Sequence, residues 1–493
     1  MEKETQSTFL SITNKPLIIG LASGLPALLH YYSSNFTQVN SWSQFFFFFS
    51  FYVLSAVIIL GIVALLLKFI KRNAYYRDQI FITLNLIWFL SLTLYSTIGL
   101  GKKRLLVIIL VAVLLGFLLK KYINKIVGFQ LILALIMLIN FAPKLFKHLS
   151  YSQDWMQQPD GIETLTFKKK PNIYIIQPDG YVNASTLKHE PYKLDNSSFE
   201  DFLESNKFKI YQDFRSNYYS TLSSNASLFA MKHHYFFYPE SKVNELYNAR
   251  SVIAGDNPVV SLFKKNDYKT FLLLQKNYLL VNRPKIMYDY CNVNYSDMSF
   301  ITRGFGQNHN TLEILPSLIE SNKNTSNFYF IEQISPAHIA SSKSYSQGKE
   351  KERKDYLERL QKTNTWLKEI TSLINNKDPE ALIVIVADHG GFVGFDATEE
   401  SRAKQEDSVL VNSIFSSLLA VKWPENDVPD FDYKLKTNVN LFRVISGYLS
   451  ENESVLNHLE KNSSYNIIEK GADYGVYELI NGKGETVFNK VKK

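Results

Sequence analysis

The chain has 493 residues, with 46% apolar and 20% charged residues and a formal net charge of +8, and this length predicts at least two domains. Long apolar runs fill the part before residue 150, and Lys and Arg flank them, so the positive charge indicates a membrane protein and no nucleic-acid partner. The single cysteine, Cys291, excludes an internal disulfide framework and a cysteine-rich metal site.

Residues 1–147 are predicted to form a membrane domain. A helix crosses the hydrocarbon layer in about 20 residues. The second and third apolar stretches reach that length, whereas the other stretches are short. We expect five transmembrane helices, with four as the main alternative. The predicted spans are Pro16–Tyr32, Phe45–Leu67, Ile80–Leu100, Leu105–Leu119 and Ile126–Phe141.

Cations in the short loops predict the orientation of the spans. The loop after the second span carries Lys68, Lys71, Arg72 and Arg77, and the loop after the fourth carries further lysines. These loops and the N-terminus are therefore predicted to be cytoplasmic, although Lys102–Arg104 favour the opposite orientation. We expect a multi-pass protein of a bacterial-type cytoplasmic (inner) membrane, with everything after the last span extracytoplasmic.

Residues 148–170 are polar and are predicted to be a juxtamembrane linker. In residues 171–493, apolar strands alternate with helical segments. This pattern predicts an α/β domain with a mostly parallel sheet covered by helices on both faces. The predicted elements are the strands Ile173–Ile176, Lys269–Leu274, Phe328–Ile334 and Ala381–Val386, a helix over Lys349–Ile374 and a hairpin over Tyr474–Phe488.

Two of the predicted buried strands are followed by acidic residues. Asp179 follows the first strand, and Asp388-His389-Gly390 follows the strand Ala381–Val386. In open α/β sheets, ligands bind at the carboxyl ends of the strands. An Asp beside a His suits a divalent metal such as zinc or manganese. The alternative is that Asp388 caps the next element and His389 is a loop residue.

Hydroxyl groups recur between these two strands. Thr221, Ser224 and Ser227 are three residues apart, where a helix would begin before Leu228. A hydroxyl at a helix N-terminus is well placed to act as a nucleophile, because the unpaired N–H groups there favour a bound anion. The alternative is that these residues cap the helix.

The order of these three motifs resembles the alkaline phosphatase/sulfatase superfamily. Within it, the chain is most similar to the membrane-anchored branch of lipoteichoic-acid synthases, phosphoglycerol transferases and lipid A phosphoethanolamine transferases. Those proteins have N-terminal spans followed by an external catalytic domain. The resemblance implies an alkaline-phosphatase-like, sulfatase-like catalytic domain over residues 171–493.

The resemblance also implies roles for single residues. Thr221 matches the nucleophile that carries the phosphoryl group as a phospho-threonine. Asp179, Asp388 and His389 match ligands of one divalent metal ion, with Thr221 as a further ligand. Asp179 stands where this branch usually has Glu.

Two further residues are candidates for substrate binding. His338, in Ser335-Pro336-Ala337-His338, is similar to a histidine that contacts the substrate phosphate or the leaving group. Ser224 is the second candidate. The alternative for His338 is an exposed loop histidine.

The sequence departs from the family at two points. The Glu and the His that often follow Asp388-His389-Gly390 are missing, because Gly391–Gly394 follow and the next histidine is His458. A second metal is therefore not expected. Formylglycine-dependent sulfatases need Cys or Ser before a Pro and an Arg, and neither Cys291 nor Ser223–Ser227 has them. Sulfate-ester hydrolysis by that route is not expected.

Together, the pattern and the resemblance predict a membrane-anchored phosphotransferase. It would move a phosphoglycerol- or phosphoethanolamine-type unit from a membrane lipid donor to an envelope glycan or lipid acceptor. The alternatives are a sulfatase- or phosphodiesterase-like hydrolase of the same fold, and a catalytically silent scaffold of envelope assembly.

Overall fold

The computed structural model describes residues 15–69, 74–99, 101–235 and 246–492. The chain divides into two units, Met1–Ser152 and Gln153–Lys493. The first unit is helical and the second is an α/β domain. The predicted fold class is therefore confirmed for both parts of the chain.

The helices of the first unit coincide with the predicted apolar stretches. They are α1 Pro16–Asn35, α2 Trp42–Phe49, α3 Ser55–Phe69, α4 Ala74–Ile98, α5 Lys102–Leu119 and α6 Ile123–Leu149. A π-helical turn over Ser50–Leu54 makes α2 and α3 one continuous helix, and a 3-10 turn at Lys120–Tyr122 joins α5 to α6. Within the described residues, three helices are long and apolar enough to cross a membrane: Trp42–Phe69, Tyr76–Ile98 and Lys102–Leu149.

The number of spans and their orientation stay predictions. The fourth and fifth predicted spans lie within the single 48-residue helical stretch Lys102–Leu149. Leu100 and the loop cations Lys71 and Arg72 lie outside the described residues, as does the N-terminus.

Close approach and polar contacts hold the helices of the first unit together. A Cβ at Gly24 in α1 would lie 2.1 Å from the carbonyl oxygen of Tyr52, so the two backbones can approach only because this residue is glycine. Asn85 of α4 and Gln130 of α6 exchange two side-chain hydrogen bonds of 2.9 Å. Such bonds matter in lipid, where the hydrophobic effect does not drive helices together.

The second unit is built on a seven-stranded sheet with the order β2-β7-β6-β1-β5-β3-β4. Strands β6, β1, β5, β3 and β4 are parallel, and β7 and β2 add an antiparallel edge beside β6. The strands are β1 Ile173–Pro178, β2 Lys209–Ile210, β3 Lys269–Leu274, β4 Tyr290–Cys291, β5 Asn327–Gln333, β6 Leu382–Val386 and β7 Leu419–Lys422.

Helices cover both faces of this sheet, because alternate residues of its central strands are apolar on both sides. Ile173 and Ile175 of β1 pack on one side, and Tyr174 and Ile176 pack on the other. The helices of the domain are α7 Ala184–Leu187, α8 Ser197–Ser205, α9 Thr221–Ala230, α10 Ala249–Ala254, α11 Pro258–Lys265, α12 Thr311–Ser321, α13 Lys349–Lys377, α14 Ser408–Phe415 and α15 Leu441–Ser450. Helices α9, α10, α11 and α15 lie on the first side, and α8, α12, α13 and α14 lie on the second.

The predicted hairpin is part of a separate three-stranded antiparallel sheet. Its strands are β8 Ser464–Ile468, β9 Gly475–Ile480 and β10 Thr486–Lys490, in the order β10-β9-β8. The turn between β9 and β10 covers residues 481–485, so it is longer than the Asn481-Gly482 pair alone predicts.

The structure corrects the predicted linker at residues 148–170. Helix α6 continues to Leu149, and the residues from Gln153 onward belong to the second unit. Met156, Ile162 and Phe167 are buried in the core on the α9 side of the sheet. The segment is polar overall, but these apolar residues anchor it in the α/β domain.

Candidate active site

The carboxyl ends of β1 and β6 place two acidic side chains at one edge of the sheet. The two strands are parallel neighbours, with Ile176 opposite Ile385, so Asp179 and Asp388 leave the sheet side by side. Both carboxylates are buried. The backbone N–H of Gly180 donates to Asp388 Oδ1 at 3.0 Å and ties the two strand ends together.

Helix α9 brings the hydroxyl to the same edge. Thr221 is its first residue, and the nine residues that follow are buried. Thr221 itself is half-buried and therefore forms the accessible side of the cluster. Its Oγ1 lies 3.3 Å from Asp179 Oδ1 and 3.3 Å from His389 Nε2. The structure thus brings together the four residues that the sequence predicts as metal ligands and nucleophile.

The hydrogen bonds of His389 determine which ring nitrogen faces the cluster. Its Nδ1 lies 2.8 Å from the carbonyl oxygen of Gly390. A carbonyl only accepts, so Nδ1 donates and Nε2 offers a lone pair in the neutral ring. Nε2 lies 3.3 Å from Asp179 Oδ1 and 3.4 Å from Asp388 Oδ2.

This convergence of lone pairs fits a bound cation. The ligand atoms of Asp179, Asp388 and His389 all lie within 4.8 Å of one another. Asp388 Oδ2 is buried and makes no hydrogen bond to any described residue. Lone-pair atoms that face one another away from water are stabilised by a cation or a proton between them. Two carboxylates and an imidazole match the donor preferences of a divalent metal such as zinc.

The pKa shifts of Asp388 and His389 agree with a site that favours positive charge. Burial raises the pKa of Asp388 to about 6, although His389 opposes the shift. Burial also acts to lower the pKa of His389, but the charges of Asp388 and Asp179 raise it overall. The cluster therefore attracts positive charge even though it is enclosed.

His338 lies beside the cluster. Its ring centroid is 6.0 Å from that of His389, and the Phe392 ring contacts both. Its Nδ1 is 2.6 Å from the carbonyl oxygen of Ile339, so Nδ1 donates and Nε2 is the free proton acceptor. Burial lowers the pKa of His338, with His389 adding to the shift, so the ring is held neutral. The alternative of an exposed loop histidine does not describe this position.

Ser224 occupies a different environment from the one predicted. It is fully buried, and its Oγ accepts a 3.0 Å hydrogen bond from Asn438 Nδ2. The same amide nitrogen lies 3.2 Å from the carbonyl oxygens of Ala387 and Asp388. Ser224 therefore supports the end of β6 through Asn438, and its predicted contact with the substrate stays a prediction.

Glu332 is an acidic residue near the site that sequence reasoning missed. It lies on β5 opposite Gln177, and the N–H of Asp179 donates to the neighbouring Gln333 carbonyl at 2.9 Å. Glu332 is fully buried, and neither of its carboxyl oxygens has a hydrogen-bond partner among the described residues. Burial raises its pKa well above the ordinary value, and Asp179 and Asp388 add to the shift. A single acidic residue inside an apolar strand is the sequence signal for such a group.

The similarity of this chain to known proteins lies in structure and comes with low sequence identity. No family model and no curated protein matches the sequence. Among solved structures, the C-terminal periplasmic domain of EcEptC from Escherichia coli is 12% identical, covers 65% of this chain and 96% of its own, and has a TM-score of 0.42.

Two further solved structures are similar to a comparable degree. The integral membrane lipooligosaccharide phosphoethanolamine transferase A from Neisseria meningitidis is 11% identical, covers 88% of this chain and 95% of its own, and has a TM-score of 0.41. The lipoteichoic acid synthase LtaP from Listeria monocytogenes is 14% identical, covers 66% of this chain and 90% of its own, and has a TM-score of 0.41. At these values the likeness carries no inference about activity or ligand.

Proposed function

We propose that the protein is a metal-dependent, membrane-anchored phosphotransferase whose nucleophile is Thr221. The observation that carries the proposal is the position of Thr221 Oγ1, which is 3.3 Å from both Asp179 Oδ1 and His389 Nε2 at the accessible side of a buried cation site. A hydroxyl beside a cation and at a helix N-terminus is suited to attack a phosphate ester.

The donor in this proposal is a membrane phospholipid with a phosphoglycerol or phosphoethanolamine headgroup. Thr221 Oγ1 attacks the phosphorus, a new P–O bond forms, and the bond to the diacylglycerol oxygen breaks. The Oγ1 proton moves to Asp179 Oδ1, to which the hydroxyl donates, and is passed on to the leaving diacylglycerol oxygen. The headgroup is then held on Thr221 as a phosphodiester.

The second half of the reaction transfers the headgroup to an envelope glycan or lipid. An acceptor hydroxyl gives its proton to His338 Nε2 and attacks the same phosphorus. The bond to Thr221 breaks, and the Thr221 oxygen takes the proton from His338, which restores the hydroxyl. His338 suits this step because its ring is neutral and its Nδ1–H is already bonded to Ile339. Attachment to the membrane supports the proposal, because a lipid donor can then react without leaving the bilayer.

Asp179, Asp388 and His389 would hold one divalent metal ion, with Thr221 as a further ligand. A bound divalent ion lowers the pKa of the Thr221 hydroxyl and neutralises charge on the phosphate. Zinc and manganese are the ions that this donor set favours. The proposal places the catalytic domain outside the cytoplasm, on a bacterial-type cytoplasmic membrane.

The experiment compares wild type, Thr221→Ala and Thr221→Ser as full chains in detergent. The metal content is measured by mass spectrometry, and turnover is measured on a chromogenic phosphodiester and on fluorescent phosphatidylglycerol and phosphatidylethanolamine. We expect bound metal in wild type, loss of turnover by about a thousandfold or more in Thr221→Ala, and partial retention in Thr221→Ser. A trapped phosphodiester on Thr221 would support the covalent step directly.

The same measurements separate the alternatives. Equal turnover of wild type and Thr221→Ala removes Thr221 from the mechanism. Release of a free phosphate ester without any acceptor-linked product favours a hydrolase. Failure to bind metal, together with no turnover that depends on Thr221, favours a silent scaffold.

A further inference from the structure

A polar cavity lies beside the loops that carry the candidate active site. Its volume is about 430 Å³, and most of the residues that line it are polar or charged. Three cationic side chains line it, namely Arg215, Lys436 and Lys483, together with one acidic side chain, Asp213. The cavity therefore carries an excess of positive charge.

Arg215 is held rigidly in the wall of this cavity. Its Nη2 donates to the carbonyl oxygens of Asn462 and Asn481. Its Nη1 makes no hydrogen bond to any described residue and lies 3.8 Å from the Cβ position of Gly484, another residue of the wall. A guanidinium anchored at one nitrogen and free at another is preorganised to bind an anion.

The two lysines add charge that the described residues do not neutralise. Lys436 and Lys483 are exposed, and neither forms an ion pair within the described ranges. Lys483 is presented by the turn between β9 and β10, which Arg215 holds through Asn481. Asp213 forms no close ion pair with a described residue, although its charge acts to raise the pKa of Arg215 against the effect of burial. Its Oδ1 accepts from Ser185 at 3.1 Å.

The walls of the cavity continue into the active-site segments. Asn183 follows the loop that begins at Asp179, and its Nδ2 donates to the Phe214 carbonyl at 2.9 Å. Arg215 lies in the segment that leads to Thr221. The carbonyl oxygen of Ser416, another wall residue, lies 2.9 Å from the Cβ position of Gly390.

We infer that this cavity binds an anionic group, a phosphate or a carboxylate, carried by the sugar acceptor of the reaction. The role as acceptor site rests on the proposed function, whereas anion binding itself does not. Arg215 and the two lysines would contact the anion, and the exposed amide of Asn412 would hydrogen-bond a sugar hydroxyl. The wall contains one apolar side chain, Ile480, so a sugar fits it better than an acyl chain does.

The test measures binding of glucose 6-phosphate and of glucose to the full chain in phosphatidylcholine nanodiscs by calorimetry. EDTA is present, so that phosphate does not bind through metal at Thr221. The variant is the double change Lys436→Gln with Lys483→Gln. Its matched control is Lys285→Gln with Lys362→Gln, two exposed lysines outside the cavity that form no ion pair with described residues. Both double variants lose the same net charge.

We expect wild type and the control to bind glucose 6-phosphate, with affinity that falls as salt is raised. We expect the cavity variant to bind about tenfold more weakly, and glucose to bind to none of them. Equal affinity of the cavity variant and the control would overturn the inference, as would equal binding of glucose and its phosphate or no binding to wild type at millimolar concentration.

Two further measurements distinguish failure of the cavity assignment from failure of the catalytic proposal. If phosphatidylglycerol in the nanodiscs displaces glucose 6-phosphate, a lipid headgroup occupies the cavity and the acceptor assignment is wrong. Thr221→Ala removes the proposed chemistry but is expected to bind glucose 6-phosphate as wild type does. Loss of binding in the cavity variant with intact Thr221-dependent hydrolysis therefore supports the cavity independently of the catalytic proposal.

Discussion

Asn438 joins helix α9 to β6, the strand that precedes the predicted metal ligands Asp388 and His389. One amide nitrogen contacts Ser224 Oγ and the carbonyl oxygens of Ala387 and Asp388. Polar groups behind a ligand fix its orientation and tune metal affinity. Asn438 is fully buried, so no water replaces these bonds when the side chain is changed.

We predict that Asn438→Leu weakens metal binding by about 10- to 100-fold. The three acceptors lose their common donor, and the backbone at Asp388 is no longer held. Metal affinity is measured by competition with a fluorescent chelator on the full chain. Asn440→Leu is the comparison, because Asn440 is equally buried but bonds to Glu460 and Asn462 instead. Equal losses in the two variants would contradict the specific role of Asn438.

Glu332 is expected to lower stability. Its carboxyl group is buried with neither oxygen hydrogen-bonded to a described residue. Leaving a buried polar group unpaired costs about 1–3 kcal/mol. We predict that Glu332→Met raises the unfolding temperature of the metal-free full chain in detergent, measured by differential scanning fluorimetry.

The pH dependence of this effect has a definite sign. The pKa of Glu332 is raised above its ordinary value of 4.5 in the folded state, so the folded chain binds a proton that the unfolded chain has lost. The stability contribution of Glu332 therefore falls as pH rises from about 4.5. The gain from Glu332→Met should be larger at pH 8 than at pH 5. Glu332→Gln should lose the pH dependence, and a gain that is larger at pH 5 would contradict the assignment.

At the scale of single elements, helix α13 holds the loop after β1. The hydroxyl of Tyr356 donates to the Gly180 carbonyl at 2.8 Å and accepts from the Val182 N–H at 3.3 Å. Gly180 has φ +69°, and a Cβ there would lie 2.8 Å from the backbone of Ala337, so the turn tolerates only glycine. The predicted helix over Lys349–Ile374 thus covers the sheet and also holds the loop after β1 through Tyr356.

We predict that Tyr356→Phe destabilises the domain by about 1–3 kcal/mol, because two buried backbone groups lose their partner. The change also loosens the loop that begins at Asp179, so turnover should fall. Tyr329→Phe is a matched control, since the Tyr329 hydroxyl is buried and has no partner among the described residues. It should be neutral or stabilising. Thermal unfolding of both variants checks this, and equal destabilisation would contradict it.

At the scale of the whole molecule, the segment after the membrane helices belongs to the α/β domain. Arg443 is buried, and it pairs with Asp160 at 2.7 Å and donates to Gln158 Oε1 at 2.7 Å. Removing one partner of a buried ion pair costs about 3–5 kcal/mol. The loss of this segment would also uncover the core that Met156, Ile162 and Phe167 fill.

We predict that residues 153–493 expressed alone are soluble and folded, whereas residues 171–493 aggregate. The shorter chain exposes apolar surface and leaves Arg443 without its carboxylate. Size-exclusion chromatography and circular dichroism compare the two chains, and Asp160→Ala in the longer chain isolates the ion pair. Equal behaviour of the two chains would show that the segment is a linker after all.

The sequence alone determined the features that depend on local pattern. The apolar runs located the helices of the first unit, and β-branched runs located the central strands. Acidic residues directly after two such strands predicted that Asp179, Asp388 and His389 would meet, because the carboxyl ends of neighbouring parallel strands share one edge. Periodicity and strand ends are readable because they involve residues close together in the chain.

Only the tertiary structure decided which distant side chains support or surround that site. Asn438 contacts Ser224, and Glu332 lies beside Gln177. Arg215 contacts Asn462 and Asn481, which lie more than 200 residues away in the sequence. These contacts depend on strand order and register, which no local pattern encodes. The same reason explains why a linker was predicted at residues 148–170. The segment is polar on average, but a few of its apolar residues pack in the core of the α/β domain.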